Sequence, residues 1–551
     1  MTATAAIYYH PEAYTTSGPK LMGRNAAGES FLRGFLSYSR SDHLWVQVQN
    51  PAHVQHFQSA AQRYGNKATI EAFDHRSLAT LAKPGVVYHP GPGLGEHAHQ
   101  RAAFGHQHWS LCGITHTTCS AGAMDSLSQL ITAPIKPWDA LICTSQAVKD
   151  NVTRLLQAQV DYLVDRLGIT RVVMPQMPVI PLGIHTRDFE FSAAARHQAR
   201  VSLNADDQTL VVLFTGRLSF HAKSHPLAMY QALQQASLQT GKQVLLVECG
   251  WHANAHIEKA YRDAAEMVAP NIRTLTLDGR IAEDRERAWA SADIFCSLSD
   301  NIQETFGIVP IEAMAAGLPV IVSDWDGYKD TVRDGIDGFR IPTVMPEGGL
   351  GGDLATRHAL GIDTYDMYCG YTSSLVAVDI ERAAHAFVRL FESPELRKRM
   401  GDAGRERARH HYDWARIIPA YESLWAELNA IRQKASSQHQ ALAVPWPARM
   451  DPFKAFASYP TGTLKPETPM DLVGPVQIAL EKALKLKALA MVDYAREILP
   501  TDDEIRLVLL AAESGPGRAD GLVAGIDSTR QLVVFRSLTW FIKLGVLKIS
   551  G

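Results

Sequence analysis

Two glutamates eight residues apart, Glu304 and Glu312, stand in the stretch ETFGIVPIEAMAAGLPVIVSD, with Gly307 and Pro310 between them. In one continuous helix they would be separated by about 12 Å along the axis and turned about 80° from each other. They would not face each other like the acid pair of a glycoside hydrolase, whose carboxyl groups lie about 5–9.5 Å apart. The spacing therefore argues against a paired acid and base.

Proline favours the first turn of a helix, so Pro310 predicts a helix that starts there and stops at Gly317. Glu304 would then lie in the loop before the helix, and Glu312 in the first turn. The alternative is purely structural, with Glu312 in a capping box and Glu304 as a solvated loop residue.

The backbone between the glutamates predicts an anion site. The N–H groups of Gly307, Ile308 and Val309 approach the helix N-terminus, which attracts negative charge. Gly307 would let a ligand come close to the backbone. A carboxylate, phosphate-binding amides and a second carboxylate, in that order, suit a nucleotide sugar with hydroxyls at both ends and a diphosphate between.

Buried strands alternate with helix-length segments up to about residue 345, which predicts an α/β protein with parallel sheets covered on both faces. Two such blocks meet near VIPLGIHTRDF (179–189) and indicate two Rossmann-like domains facing a cleft. Ligands of such sheets bind beyond the carboxyl ends of the strands. The predicted strands are 6–10, 44–48, 85–90, 113–117 and 139–145, then 209–216, 243–250, 272–279, 293–299 and 318–324.

The remaining chain is divided by composition. We expect Rossmann-like domains at 1–187 and 188–400, closing helices at 401–433, a linker at 434–448 and a mostly helical accessory domain at 449–551. The Gly-rich interval 343–372 predicts an irregular loop or flap. The accessory domain would hold amphipathic or apolar helices with a short final strand, as in a winged-helix unit.

Several segments, in this order, resemble the family 4 retaining glycosyltransferases of the GT-B fold. They are DALICTSQAVKDNV, VIPLGIHTRDF, LFTGRLSFHAKSHP, the E-x7-E stretch and LFESPELRKRMGDAGRERARHHYDW. The resemblance covers about residues 1–430. It implies transfer of a sugar from a nucleotide diphosphate sugar with retention at the anomeric carbon.

The resemblance also assigns roles. Arg217 and Lys223 would neutralise the departing phosphates, and Glu304 would contact the donor sugar. Glu312 would bind the ribose hydroxyls, while Gly307, Ile308 and Val309 donate amides to phosphate. Ser224 departs from the family, many of whose members have Gly after the Lys.

Other matching positions complete the expected site. His116, at the end of a strand, would touch the donor sugar and the reacting centre. Gly23 and Arg24 match the loop that covers the diphosphate, and the backbone at Arg280 and Ile281 would lie beside the base. Each of these residues has an ordinary structural alternative.

We expect no metal and no cofactor beyond the donor, a UDP- or GDP-sugar. The His-rich segment 89–109 lacks metal-ligand spacing and is interpreted as an acceptor-binding loop. The sequence DWD at 324–326 is interpreted as a loop contact, with Asp324 or Asp326 near the sugar.

Composition limits partners and location. A net charge of −3 gives no general attraction to nucleic acid, and none is expected to bind. The six cysteines predict reduced, mostly buried thiols. We find neither a signal peptide nor a membrane span and expect a cytoplasmic protein, with the inner membrane face as an alternative. Lysines at 482, 485 and 487 suit a solvated helix or an anionic lipid surface.

The predicted function is transfer of a hexose to a saccharide, lipid-linked or protein acceptor in polysaccharide or glycoconjugate biosynthesis. One alternative is a GT-B enzyme that does not glycosylate, namely a nucleotide-sugar epimerase or a phosphorylase. Another is a non-catalytic scaffold that works through residues 449–551, which would then mediate self-association or bind a protein partner.

Overall fold

The computed structural model describes residues 4–15, 23–435 and 444–550, except for the side chain of Arg24. It divides into a large unit, Met1–Trp446, and a small unit, Pro447–Gly551. The predicted linker 434–448 lies partly outside the described residues. Among the described residues, no helix combines the length and apolar character needed to cross a bilayer.

The first Rossmann-like domain has a parallel six-stranded sheet with the order β3-β2-β1-β4-β5-β6. Buried apolar strands fill its centre, and helices connect them. Its elements are β1 (Ala6–Tyr9), α1 (Gly23–Tyr38), β2 (His43–Val48), α2 (Pro51–Arg63), β3 (Thr69–Phe73), β4 (Val86–Tyr88), α3 (Gly95–Ala102), β5 (Ser110–Ile114), α4 (Ala121–Thr132), β6 (Ala140–Ile142) and α5 (Gln146–Leu167).

The second Rossmann-like domain repeats this topology with the order β12-β11-β10-β7-β8-β9. Its strand order reverses between the neighbours β7 and β10, where such sheets open a crevice for ligands. Its elements are α6 (Ala193–Ser202), β7 (Leu210–Thr215), α7 (Leu227–Thr240), β8 (Val244–Gly250), α8 (Ala255–Val268), β9 (Arg273–Asp278), α9 (Ala282–Ser291), β10 (Ile294–Ser297), α10 (Ile308–Ala315), β11 (Val320–Ser323), α11 (Tyr328–Thr331) and β12 (Gly338–Ile341).

All ten predicted strands are present in the two six-stranded sheets, but two further strands of these sheets were missed. β3 is mostly half-exposed, so its sequence lacks a continuous apolar run. β12 contains a glycine and an arginine within four residues. The strand predicted at 113–117 is wrong in its bounds, because β5 ends at Ile114 and His116 lies two residues beyond it.

The interval 343–372 is helical, so the predicted irregular loop is wrong. It contains β13 (Thr343–Val344), α12 (Gly352–Ala359) and α13 (Tyr365–Ser373), and β13 pairs with β14 (Ala377–Val378). An Arg357–Asp363 ion pair of 2.7 Å and stacked rings of His358 and Tyr368 stabilise the helix pair. Its glycines lie mainly ahead of α12 and hide the helical pattern that follows.

The closing helices run back onto the first domain. They are α14 (Ile380–Glu392), α15 (Pro394–Arg407), a π-helical turn (Ala408–Tyr412) and α16 (Trp414–Lys434). The boundary predicted at 400 falls inside α15. Trp414 is fully buried against Phe31 of α1, and its Nε1 donates to Ser30 Oγ at 2.7 Å. This packing makes α16 part of the core of the first domain.

The small unit builds a three-stranded antiparallel sheet, β16-β15-β17, and its own apolar core around Met470, Ile505 and Phe541. The predicted final strand, β17, is present, whereas β15 and β16 were missed. The elements are α17 (Pro452–Ala455), β15 (Pro469–Leu472), α18 (Val476–Lys487), α19 (Ala490–Asp493), α20 (Asp502–Ala511), β16 (Gly517–Arg518), α21 (Gln531–Arg536), α22 (Leu538–Lys543) and β17 (Leu547–Ile549).

Two of the three lysines of α18 are engaged within the small unit. Lys482 donates to the Gly545 carbonyl at 3.0 Å, and Lys487 contacts Asp502 at 2.7 Å. Fewer lysines of α18 are therefore free to bind an anionic lipid surface than the sequence suggests. Binding to such a surface stays a prediction.

Candidate active site

Three loops meet at the point where the strand order of the second domain reverses. They follow the carboxyl ends of β7, β10 and β11 and comprise residues 216–226, 298–307 and 324–327. Because the strands are parallel and adjacent, these loops share one edge of the sheet. That edge therefore gathers Arg217, Lys223, Glu304 and Asp326 from three separate stretches of sequence.

Lys223 and Glu304 form an ion pair in this crevice. The Lys223 Nζ lies 2.5 Å from Glu304 Oε2, with the two side chains 23% and 12% exposed. Burial alone would raise the pKa of Glu304, but the Lys223 charge and backbone amides outweigh it, so its pKa is lowered. Glu304 is thus held as a carboxylate beside a cation that an anionic ligand can share.

The other carboxylate oxygen of Glu304 binds its own loop. Oε1 accepts hydrogen bonds from the Thr305 N–H at 3.2 Å and the Gly307 N–H at 3.0 Å. The Gly307 amide, expected to donate to phosphate, is therefore already used within the protein. The amides of Ile308 and Val309 open α10 as its first two helical residues.

The predicted helix start at Pro310 is wrong. α10 begins two residues earlier at Ile308, behind Gly307 with φ 76°. A Cβ at Gly307 would lie 1.8 Å from the Tyr328 ring, so glycine is needed for φ and for packing, in addition to any ligand approach. The early start moves Glu312 into the second turn and excludes the capping box.

Glu312 is a partly buried carboxyl near Arg285 of α9. Burial raises its pKa to about 8, an effect that the positive charge of Arg285 reduces only in part. A group with this preference for the neutral form suits a hydrogen bond to a hydroxyl.

Arg217 joins the first two loops. Its Nη2 donates to the Ala222 carbonyl at 2.7 Å and to Gln303 Oε1 at 3.2 Å. Ser224, the departure from the family, is buried and donates to the Leu298 carbonyl at 3.1 Å. Its hydroxyl therefore fastens the Lys223 loop to the end of β10, a role that glycine could not serve.

The DWD segment forms the third wall. Asp326 has φ 44°, an uncommon backbone conformation for a residue with a side chain. Its buried Oδ2 has no hydrogen-bond partner, and burial together with the nearby Glu304 charge raises its pKa well above the usual range. Trp325 Nε1 donates to the Asn301 carbonyl at 3.1 Å and fixes the turn.

His116 lies across from Glu304 on the first domain. Thr305, the neighbour of Glu304, donates from Oγ1 to the His116 carbonyl at 2.9 Å. Thr305 also accepts at its carbonyl from Ser145 Oγ at 2.8 Å. The structure thus brings the predicted His116 and Glu304 segments together through one buried threonine.

Four further positions were predicted for the site, and among their described atoms none forms a hydrogen bond with Lys223 or Glu304. Gly23 is exposed at the start of α1, and the side chain of Arg24 lies outside the described residues. Arg280 is bound to Asp278 at 2.7 Å, and Ile281 is 46% exposed before α9. Arg285, whose charge acts on Glu312, donates from its backbone N–H to the Ile281 carbonyl at 3.1 Å.

The His-rich segment forms a packed layer. His89 and His97 stack at 3.9 Å, and Tyr8 packs on both. Arg101, fully buried, pairs with Asp139 at 2.5 Å and anchors α3. Among the described residues, no group of three or more His, Cys, Asp or Glu side chains could hold a metal.

Asn301 and Thr305 were missed by sequence reasoning. Asn301 is fully buried, donates to the His221 carbonyl at 3.1 Å and accepts from Gln303 N at 2.9 Å. It lies four residues after the end of β10, in SDNIQET, at the carboxyl edge of the sheet where ligands of such folds bind. That position is the signal that could have identified it.

Residues 195–347 match the family model described as Glycosyl transferases group 1. A phosphatidyl-myo-inositol mannosyltransferase from Mycobacterium leprae is 32% identical over 173 residues, or 30% of this chain and 36% of that protein. A D-inositol 3-phosphate glycosyltransferase from Mycobacteroides abscessus is 26% identical over 51% of this chain and 63% of that protein. The chain thus spans less than two thirds of these curated relatives.

The fold is shared with a solved structure, HepE from Anabaena in complex with UDP. It aligns with a TM-score of 0.50 at 15% identity and covers 77% of this chain and all of that one. Together with the two parallel sheets, the alignment shows the GT-B fold.

Proposed function

We propose that this chain of the GT-B fold is a group 1 glycosyltransferase that moves a hexose from a UDP- or GDP-sugar to a saccharide, lipid-linked or protein acceptor, with retention at the anomeric carbon. The single observation that carries the proposal is the Lys223–Glu304 pair at the crevice where the strand order reverses, between β7 and β10. A cation for the leaving group and a carboxylate for sugar hydroxyls stand there side by side.

The leaving diphosphate would be stabilised by positive charge. Lys223 and Arg217 project from one loop, and the first turn of α10 adds the amides of Ile308 and Val309. Charge that develops on the phosphate as the glycosidic bond breaks is lowered in energy by such donors. Binding of the diphosphate would place a second anion beside Lys223 and weaken its ion pair with Glu304.

The sugar would lie between the two domains, against Glu304 and the segment of His116. The resemblance to retaining GT-B enzymes supports attack on the anomeric carbon from the same face as the leaving group. The departing phosphate would take the acceptor proton. Most of the rate enhancement would come from positioning and from the cations.

Nucleotide binding tests the proposal directly. A ligand that binds only the folded state raises the melting temperature. Purified protein is heated with UDP, GDP, dTDP, ADP or CMP, and with their common sugars, beside the variants Glu312→Ala and Glu266→Ala. Glu266 is an exposed residue of α8 and serves as the control.

Stabilisation by one diphosphate nucleotide, kept in Glu266→Ala and lost in Glu312→Ala, would support the donor site and identify its base. No response to any nucleotide would contradict it. A responding sugar nucleotide is then incubated with candidate acceptors, and the anomeric configuration of the product is read by NMR. An inverted product would refute retention.

A further inference from the structure

Two cysteines from distant parts of the chain lie in contact beside the crevice. The Sγ atoms of Cys119 and Cys369 are 3.8 Å apart, although 250 residues separate them in sequence. Cys119 precedes α4 in the first domain and is 5% exposed, while Cys369 lies on α13 and is fully buried. The contact therefore joins the first domain to the helical insertion.

The helix that carries Cys369 also packs on the loop of Lys223. A Cβ placed at Gly370 would lie 2.9 Å from the Cβ of His221, so α13 sits directly on that loop. On its other side, the Tyr365 hydroxyl lies 3.5 Å from Thr117 Oγ1 and 3.5 Å from Cys119 Sγ. Residues 117–119 follow His116 without a break, so α13 touches both walls of the crevice.

Cys119 has the surroundings of a reactive thiol. The hydrogen bond with Cys369 lowers its pKa, with further help from Thr117 and Tyr365. Its position just before the N-terminus of α4 adds favourable dipole for a thiolate. The other four cysteines are also buried, and burial raises the pKa of each.

We propose that Cys119 and Cys369 form a disulfide when the protein meets a small-molecule disulfide such as oxidised glutathione. The sulfur atoms need to approach each other by roughly 1.8 Å to reach the S–S bond length of about 2.05 Å. Among the residues that the structure covers, no other two cysteine sulfur atoms lie within hydrogen-bonding distance of each other.

The reaction is a two-step thiol–disulfide exchange. The Cys119 thiolate attacks one sulfur of the glutathione disulfide and releases one glutathione thiolate. Cys369 then attacks the Cys119 sulfur of the mixed disulfide and expels the second glutathione, which takes up the proton. The two protein thiols are oxidised, and one glutathione disulfide is reduced to two thiols.

The product would fasten the His116 side of the crevice to α13. Group transfer between two domains requires them to separate for substrate entry and product release. A covalent link at this point would hold them together until a thiol reductant cleaves it. This consequence rests on the proposed function, whereas formation of the link does not.

Peptide mapping of the full chain tests the link. Reduced protein is incubated with oxidised glutathione, the remaining thiols are alkylated, and the unreduced digest is examined by mass spectrometry. We expect one peptide pair that joins Cys119 to Cys369, lighter by two hydrogen atoms, with the other four cysteines alkylated. Only glutathione adducts, a different pair, or no reaction would overturn the proposal.

Thermal unfolding of matched variants gives a second readout. A cross-link across 250 residues constrains the unfolded chain, so oxidation should raise the melting temperature and dithiothreitol should reverse the rise. Cys143→Ala, which removes a buried cysteine elsewhere, should keep the rise, and Cys369→Ser should lose it. An equal rise in Cys369→Ser would contradict the assignment. If the disulfide forms but no nucleotide raises the melting temperature of the reduced protein, the donor site is contradicted and the disulfide is not.

Discussion

Thr305 Oγ1 donates a hydrogen bond of 2.9 Å to the backbone carbonyl of His116, across the two Rossmann-like domains. Thr305 is 7% exposed, so water cannot readily replace this bond. Thr305→Val keeps the shape and removes the donor. We expect a loss of about 0.5–1.5 kcal/mol of transition-state stabilisation, or about twofold to tenfold in kcat/KM.

Thr305→Ser is the control, because serine keeps the hydroxyl. Its kcat/KM with the responding sugar nucleotide should stay close to that of the unchanged protein. If valine and serine lower kcat/KM equally, the hydrogen bond to His116 does not position the two walls of the site.

Lys223→Met tests the ion pair with Glu304. Removal of the cation leaves a largely buried carboxylate without its partner, which should lower the free energy of unfolding at neutral pH by about 1.5–3 kcal/mol. Urea denaturation measures this loss. Lys259→Met, which removes an exposed ion pair with Asp263, should change stability by less than about 0.5 kcal/mol.

The pH dependence of stability tests the same ion pair. The folded-state pKa of Glu304 is lowered from 4.5, so its contribution is present above pH 4.5 and is lost as the pH falls through the folded value. The difference in the free energy of unfolding between the unchanged protein and Lys223→Met should therefore become smaller as the pH falls below 4.5. A gap that stays constant or widens there would show that Lys223 acts on stability through another group.

The central strands of the sheets were predictable because they contain continuous apolar runs. β7 contains the apolar run LVVLF, and β8 contains the apolar run VLLV. Each of these runs predicts a strand of a buried parallel sheet. α12 and α13 were not predicted, because the glycines at 348, 349, 351 and 352 precede or open α12, and α12 buries no residue. Its order depends on contacts such as the Arg357–Asp363 pair, which spacing alone does not reveal.

The placement of two candidate residues was predictable from the sequence, whereas the local backbone geometry was not. Motif order placed Lys223 and Glu304 at one sheet edge, and they lie 2.5 Å apart there. The start of α10 could not be deduced from Pro310, because the helix begins behind the positive φ of Gly307, and the Tyr328 ring that packs against this glycine lies 21 positions later in the printed sequence. Cross-chain packing of this kind is absent from local patterns.

Gly307→Ala separates the two reasons for glycine at the start of α10. A methyl group there meets backbone strain at φ 76° and a collision with the Tyr328 ring, whose hydroxyl lies 2.9 Å from Ser297 Oγ. We expect a loss of at least about 3 kcal/mol in the free energy of unfolding. Urea denaturation is the measurement.

Gly335→Ala supplies the matched control. Gly335 has a similar φ of 73°, but no atom lies within 4 Å of a Cβ built there. Only the backbone strain of about 1–2 kcal/mol should appear. Equal losses for the two variants would show that the Tyr328 ring moves aside without cost.

Glu312→Gln tests the buried carboxyl of α10 by its pH dependence. The folded-state pKa is raised from 4.5 to about 8, so the folded protein retains a proton that the unfolded chain releases. This proton stabilises the fold fully below pH 4.5 and progressively less as the pH rises through about 8. Glutamine cannot ionise and escapes that loss.

The free energy of unfolding of Glu312→Gln minus that of the unchanged protein should therefore increase between pH 4.5 and about 8 and then level off. Urea denaturation across this range measures the difference. Glu266→Gln, at an exposed position of α8, should show no such trend. If the difference for Glu312→Gln is flat over the whole range, the carboxyl ionises normally in the folded state and is better solvated than its surroundings indicate.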